Sequence, residues 1–349
     1  MSVETASFAD GYRISRMIRG GWQLSGGHGD VDRERAIADM FAFVDRGVTT
    51  FDGADIYTGV EDMYGEFRQR LCTQRGEAAA RAFKVHTKFV PDWDRLGNID
   101  RVYVTSIIDR SLQRLKVDRL DLVQFHWWNY AAPGVVETAL MLRDLQKAGK
   151  IEHLAGTNFD TAHTCMLLSA GVPLVSMQVQ YSLLDARPEN GLVQLAQERG
   201  FGVLCYGTLA GGFLSEAWLG KPEPVGGLVN RSLIKYLLII EDFGGWALFQ
   251  KLLQVLDVVA HKHKVTIPAV ATRWMLDKPA VAAVIVGARY AAHLDGALGM
   301  FAFRLDAEDR RMIGAVLAER SGPTGDTFEL ERDRNGRHGR IMKYNLNKE

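Results

Sequence analysis

The chain has 349 residues, 47% hydrophobic and 24% charged, enough apolar material for a large core. Lys plus Arg and Asp plus Glu both number 42, so no basic surplus points to nucleic acid and no acidic surplus to a solvating tail. The three cysteines (Cys72, Cys165 and Cys205) lack paired spacing, no apolar run reaches membrane-spanning length and the first residues lack a signal-peptide core, so a soluble, cytoplasmic protein with reduced thiols is expected.

A strand-type segment, ISRMIRGGWQL (14–24), leads into a Gly-rich loop, SGGHGD (25–30). Helical spacing follows from about Asp32 to Arg46, where Ile37, Met40, Phe41 and Val44 lie three and four apart, and Gly47 stands at the usual stop. The unit then repeats, with strand 48–52 before helix 60–75, strand 83–89 before helix 100–116, and strand 120–126 before helix 133–149. Strand 151–156, a short helix 161–170, strand 173–179, helix 188–199 and strand 201–206 continue the series. VAAVIVGA (281–288) is the eighth strand, followed by helix 290–299.

Strands that alternate with helices pair in parallel, because parallel neighbours need a crossover. Runs such as LDLVQF fit strands buried on both faces. These units predict one domain, a (β/α)8 TIM barrel over residues 1–320. Two additions interrupt it. Residues 214–245, rich in Gly and Pro, are predicted as a long loop after strand seven, ahead of helices 246–263 and 266–276. The polar tail 321–349 reads either as a cover packed over the barrel or as a flexible end.

Four segments set a chemically able residue just past an apolar run: VTTFDGADIY (48–57), FKVHTK (83–88), LDLVQFH (120–126) and LAGTNF (154–159). In a barrel the carboxyl ends of all strands face one site, so Asp52, Tyr57, Lys88 and His126 would converge there. Lys84, His86 and Lys88 share a strand face by alternation, with only Lys88 at the carboxyl end. Singly, each has a bland explanation: a cap for Asp52, a half-buried ring for Tyr57, a structural imidazole for His126. Their joint placement points to catalysis. No His, Cys and carboxylate cluster has metal spacing, so no metal site is expected, and P-loop, GxSxG and Rossmann signatures are absent.

FDGADIYTGVEDMYGE, VHTK, VQFHW, GKIEHLAGTNF, MQVQYS and RWMLDKP, in this order over roughly residues 14–300, resemble the aldo-keto reductases. The resemblance implies NAD(P)H-dependent interconversion of an aldehyde or ketone, sugars and aromatic aldehydes included, and its alcohol. Tyr57 would be the proton donor. Lys88 would lower its pKa and answer the charge on oxygen, Asp52 would hold Lys88, and His126 would donate a hydrogen bond to the substrate carbonyl. Thr157, Asn158 and Gln178 match positions for the nicotinamide carboxamide, and Tyr206 matches the ring that stacks on the nicotinamide.

By the same resemblance, Gly21 and Trp22 begin a loop that meets cofactor or substrate, and Leu209, Gly211 and Gly212 reach the pyrophosphate. Trp22, Tyr57, His126 and Trp127 would line the substrate pocket, with Trp128 next to Trp127 as the other tryptophan that could do so. The adenosine end departs from the family: Gly287 replaces a Lys of some branches, and Gly296–Ala297 occupies the usual Glu-Asn place. Arg289 would clamp a 2′-phosphate or stack on adenine, with His293 near the usual Arg, so NADP(H) is the expected coenzyme and NAD(H) the alternative. The expected partner is a small carbonyl or alcohol, not nucleic acid or membrane, with a homo-oligomer left open. A nucleotide-sensing subunit resembling potassium-channel β subunits is the competing reading. The intact Tyr57, Lys88 and Asp52 set favours the enzyme, and a phosphate-handling barrel isomerase would give that set no role.

Overall fold

Eight parallel strands close on themselves in the computed structural model, which describes residues 2–8, 11–25, 30–228, 230–288 and 290–348. They are β1 (Met17–Gly20), β2 (Thr50–Asp52), β3 (Lys84–Phe89), β4 (Leu120–Phe125), β5 (Ile151–Thr157), β6 (Leu174–Gln180), β7 (Gly202–Tyr206) and β8 (Val281–Gly287). Each pairs with its sequence neighbour, and β8 pairs with both β7 and β1, so no edge is left open. This is the (β/α)8 TIM barrel that the strand–helix alternation predicts. An antiparallel pair, Thr5–Ser7 with Arg13–Ser15, precedes it. Tyr12 packs there with Ile14, Ile18, Leu122, Leu204 and Ala283 in the barrel interior.

The outer helices start where short polar side chains can cap them. α1 (Arg33–Asp45), α3 (Arg101–Leu115) and α5 (Thr161–Ser169) follow Asp32, Asp100 and Asp160, whose carboxylates accept from the backbone of Arg35, Tyr103 and His163. α4 (Val135–Lys147), α6 (Leu192–Arg199), α9 (Ile267–Leu276) and α10 (Leu294–Leu298) continue the layer over the strands, while α8 (Gly245–His263) and α11 (Ala307–Leu317) pack with residues 236–243 in a second core. The main core lies between strands and helices, where Phe51, Phe67 and Phe83 meet edge to face at 4.9 and 5.0 Å. Burying each such ring contributes about 1.5–3 kcal/mol. Among the described residues no helix is long and apolar enough to cross a membrane.

Two of the predicted elements differ from expectation, and α11 is not among the predicted ones. α2 (Val60–Ala82) continues past residue 75, with a break at Gly76 (φ 82°, ψ 169°) that glycine accommodates. The stretch 214–245 is not simply a loop, because it contains α7 (Arg231–Phe243). The Asn230 side chain caps α7 at the backbone of Ser232 and Leu233, and Tyr236, Ile239, Ile240 and Phe243 bury one stripe against α8. The Gly and Pro residues upstream hide this signal in a windowed reading of the sequence.

The tail returns over the carboxyl end of the barrel. In α12 (Glu329–Arg332), Glu331 accepts two hydrogen bonds from Arg187 at 2.9 and 3.1 Å, and Arg187 also binds Asp185. Arg332 Nη2 donates to the carbonyls of Trp127 (3.1 Å) and Asn158 (2.7 Å). Further on, Asn347 binds Asp92 and Val90. Burial alone would raise the Glu331 carboxyl, but Arg187 and Lys235 override it and hold it at about 2.

A carboxyl held below its unfolded value stabilises the fold above pH 4.5, and that contribution disappears as the pH falls towards about 2. Replacing Arg187 strands two buried carboxylates at neutral pH. Arg187→Met should therefore cost about 3–5 kcal/mol in urea denaturation at pH 7 and open the tail to limited proteolysis. Wild-type stability and protection in that variant would show that the cluster does not hold the tail.

Candidate active site

The carboxyl ends of β2, β3 and β4 bring Asp52, Lys88 and His126 together, because register aligns Asp52 with His86 and Lys88 with Gln124. Lys88 Nζ lies 2.8 and 2.9 Å from the Asp52 oxygens and 2.8 Å from the Gly53 carbonyl. Both side chains are about 94% removed from solvent, each with 6% relative exposure. Asp52 Oδ1 also accepts from Gln178 at 2.6 Å and Gln124 at 3.2 Å. The Tyr57 ring stands above this group, its centroid 5.0 Å from Lys88 Nζ and 5.1 Å from the Trp22 ring.

The Tyr57 phenol is pushed well above its ordinary value, chiefly by burial and then by the carboxylates of Asp52 and Asp55. His126 is pushed down to about 3, first by burial, and is neutral at physiological pH. Its Nδ1 lies 3.2 Å from the Thr157 carbonyl. A carbonyl oxygen only accepts, so Nδ1 carries the proton and Nε2, which has no partner among the described residues, is left as an acceptor. Asp55 accepts from the Val90 amide at 3.0 Å, and burial raises its carboxyl to about 8.

One cavity of about 590 Å³ is lined by Asp52, Tyr57, Lys88 and His126, and by Trp22, Thr157, Asn158, Gln178, Tyr206, Leu209, Gly211 and Gly212. Tyr206 donates to Asn158 Oδ1 at 2.9 Å, so these two hold each other on the wall. Thr157 Oγ donates to the Gln178 carbonyl at 3.2 Å.

Other expected residues lie elsewhere. Trp127 does not line the cavity: its ring is fully buried against Phe125 and its Nε1 donates to the Asn129 carbonyl. Trp128 takes that wall position instead, edge-on to His126 at 4.3 Å. Gly21 is also off the lining, and a Cβ there would meet the Asp52 carbonyl at 2.5 Å. Gly211 is at φ 66°, and a Cβ would strike Tyr236 and Ser232 of α7, so it serves helix docking. Gly212 alone of that pair keeps open space beside it. His293 is exposed at the start of α10, away from the cavity, and Arg289 lies outside the described residues.

The sequence reading missed Gln23, Arg231, Lys235, Phe328 and Met342, which also line the cavity. Gln23 has a trace: a Cβ at Gly287 would fall 2.1 Å from its amide, so the absent family Lys leaves room for Gln23. The remaining four come from α7 and the tail, where no strand-end pattern marks them.

Comparison with known proteins agrees with this geometry. Residues 16–318 match the Aldo/keto reductase family. The chain belongs to that family. NAD(P)H-dependent carbonyl reduction is the family's general chemistry. Among relatives, the aldo-keto reductase YhdN of Bacillus subtilis is 26% identical, covering 93% of this chain and 97% of its own. The NADH-specific methylglyoxal reductase of Escherichia coli is also 26% identical, covering 79% of this chain and 86% of its own. In fold, a glycerol dehydrogenase of Gluconobacter oxydans superposes with a TM-score of 0.76 at 23% identity, covering 94% of this chain and 99% of that one.

Asp55 supplies a stability test. A carboxyl raised to about 8 stabilises the fold fully below its ordinary 3.8, and the contribution is lost as the pH climbs through that window. Asp55→Asn keeps an acceptor oxygen for Val90 and cannot ionise. It should match wild type near pH 4 and exceed its stability by about 3–5 kcal/mol above pH 8. Urea denaturation at stepped pH measures this, and a constant difference between the two proteins would refute the buried neutral carboxyl.

Proposed function

We propose that the chain reduces a small aldehyde or ketone with Tyr57 as proton donor and NADP(H) as preferred coenzyme. The observation that carries this reading is the Tyr57 hydroxyl on the cavity wall, which makes no hydrogen bond among the described residues. Lys88 gives its protons to Asp52 and Gly53, Asp52 accepts, and His126 Nδ1 faces the Thr157 carbonyl. Of the four, only Tyr57 has a proton free for a carbonyl oxygen in the cavity. Its raised pKa keeps that proton in place at neutral pH. As the O–H bond breaks, the Lys88 ammonium, 5.0 Å from the ring centre, lies beside the developing negative charge.

The wall opposite supports a nicotinamide nucleotide. Thr157, Asn158 and Gln178 offer both donors and acceptors, as a carboxamide requires, and Tyr206 offers a flat ring. The backbone at Gly212 is open to a phosphate. Bound there, the nucleotide supplies the hydride. Its preference for NADP(H) rests on the Arg289 guanidinium in the sequence.

Tyr57→Phe keeps the ring and removes the proton. Turnover should fall by the equivalent of about 3–5 kcal/mol while nucleotide affinity and stability hold. Steady-state NADPH oxidation over a panel of aldehydes, with fluorescence titration of NADPH, tests this. Undiminished turnover in Tyr57→Phe would remove it as the acid, and a wild type that binds nucleotide but reduces nothing would favour a sensing subunit. For the coenzyme, Arg289→Ala should weaken NADPH by about 1.5–3 kcal/mol and leave NADH nearly unchanged. Equal effects on the two would return Arg289 to an ordinary surface role.

A further inference from the structure

Arg332, in the tail helix α12, does not line the cavity, yet it holds two strand ends that do. Nη2 donates to the carbonyls of Trp127, which lies between His126 and Trp128, and of Asn158. One nitrogen thus ties the exit of β4 to the exit of β5. The carbonyl just before, that of Thr157, meets His126 Nδ1 at 3.2 Å, so two successive carbonyls at the end of β5 are held. The guanidinium lies 3.9 Å from the Tyr130 ring centre and 5.3 Å from that of Phe328, faces that offset part of its desolvation. Among the described residues Nε and Nη1 have no hydrogen-bond partner and no contact with solvent, so the two carbonyls take all of its hydrogen bonds.

Asn158 is a residue that has to be held. Its backbone is left-handed, with φ 63°, a region that side-chain-bearing residues seldom occupy and that asparagine tolerates best among them. Its amide donates to the Gln178 carbonyl at 2.9 Å, its Oδ1 accepts from Tyr206 at 2.9 Å and its carbonyl accepts from Arg332 at 2.7 Å. The Arg332 bond is the one with a charged donor, which makes it the firmest of the three. Nδ2 is left without a hydrogen bond among the described residues, and Asn158 lines the cavity.

We infer that Arg332 is a positioning residue for the coenzyme: by clamping the Asn158 carbonyl it fixes Nδ2 for the nicotinamide carboxamide, while standing outside the nucleotide site itself. This rests on the carboxamide reading of Asn158 above. A donor meets a fixed group well only where its own residue cannot drift, and three engaged atoms prevent that drift. α12 is fastened separately, through Glu331 and Arg187, so loss of the Arg332 side chain leaves the tail docked.

Calorimetric titration with NADPH, NADH and 2′-phospho-ADP-ribose, which lacks the nicotinamide, tests this in wild type, Arg332→Met, Arg332→Lys, Asn158→Ala and the double variant. Arg332→Met should weaken NADPH and NADH by a similar factor, about tenfold, and leave 2′-phospho-ADP-ribose within about twofold of wild type. Arg332→Lys should regain part of the loss. With Asn158→Ala already in place, Arg332→Met should add no more than about twofold, because the two residues act through one contact. An opened tail, or a direct contact with the coenzyme phosphates, would weaken 2′-phospho-ADP-ribose too and persist in the Asn158→Ala background. Either result overturns the inference. If Arg332→Met does not fold, the same cycle is run with Arg332→Lys, whose smaller loss must show both signatures. Asn158→Ala without effect on either coenzyme refutes the carboxamide reading and this inference with it. A loss in Asn158→Ala that Arg332→Met does not share refutes the inference alone.

Discussion

The buried ion pair between Lys88 and Asp52 is the constraint on which the rest of the site depends. Taking both charges out of water is costly, and the pair is tolerable only because every donor and acceptor is used. Lys88 reaches two carboxylate oxygens and the Gly53 carbonyl, while Asp52 draws in Gln124 and Gln178. That saturation fixes four strand ends relative to one another. It also limits what the lysine can do. With its three protons committed, it faces Tyr57, whose ring centre is 5.0 Å away, as a fixed charge and not as a donor.

The barrel and the additions divide the work. Strand ends supply the polar groups on the pocket floor, and strand pairing places them within hydrogen-bond reach. α7 and the tail supply the upper walls through Arg231, Lys235, Phe328 and Met342. Those walls are coupled. Lys235 faces Glu331, Arg187 fastens Glu331 to the barrel, and Arg332 ties α12 to the carbonyls of Trp127 and Asn158. Phe328 stands edge-on to His126 at 5.5 Å, so the tail reaches the reacting end of the cavity. This arrangement lets loops change what is recognised without disturbing the ion pair beneath.

Much of this was legible in the sequence because it depends on local rules. Continuous apolar runs, three-and-four spacing and glycine at a helix end mark strands and helices without reference to distant residues. Asp52, Lys88 and His126 were legible too, since a residue that ends a barrel strand has only one face to look onto. Trp127 and Trp128 were not separable, because adjacent residues beyond a strand end point apart and only packing decides which ring is buried. α7 escaped for a different reason: its apolar stripe is local, but the Gly and Pro residues before it marked the whole stretch as loop.

The sequence by itself determined the barrel, the order of its strands and the polar residues at their ends, since alternation and strand parity are properties of neighbouring residues. Only the tertiary structure decided the protonation and tautomer of the site. Those follow from burial around Tyr57, His126 and Asp55 and from which carbonyl meets which nitrogen, as at His126 and Thr157. It also decided that Arg187 and Glu331, 144 residues apart, share one buried charge cluster, because chain separation carries no information about distance once the chain has folded back on itself.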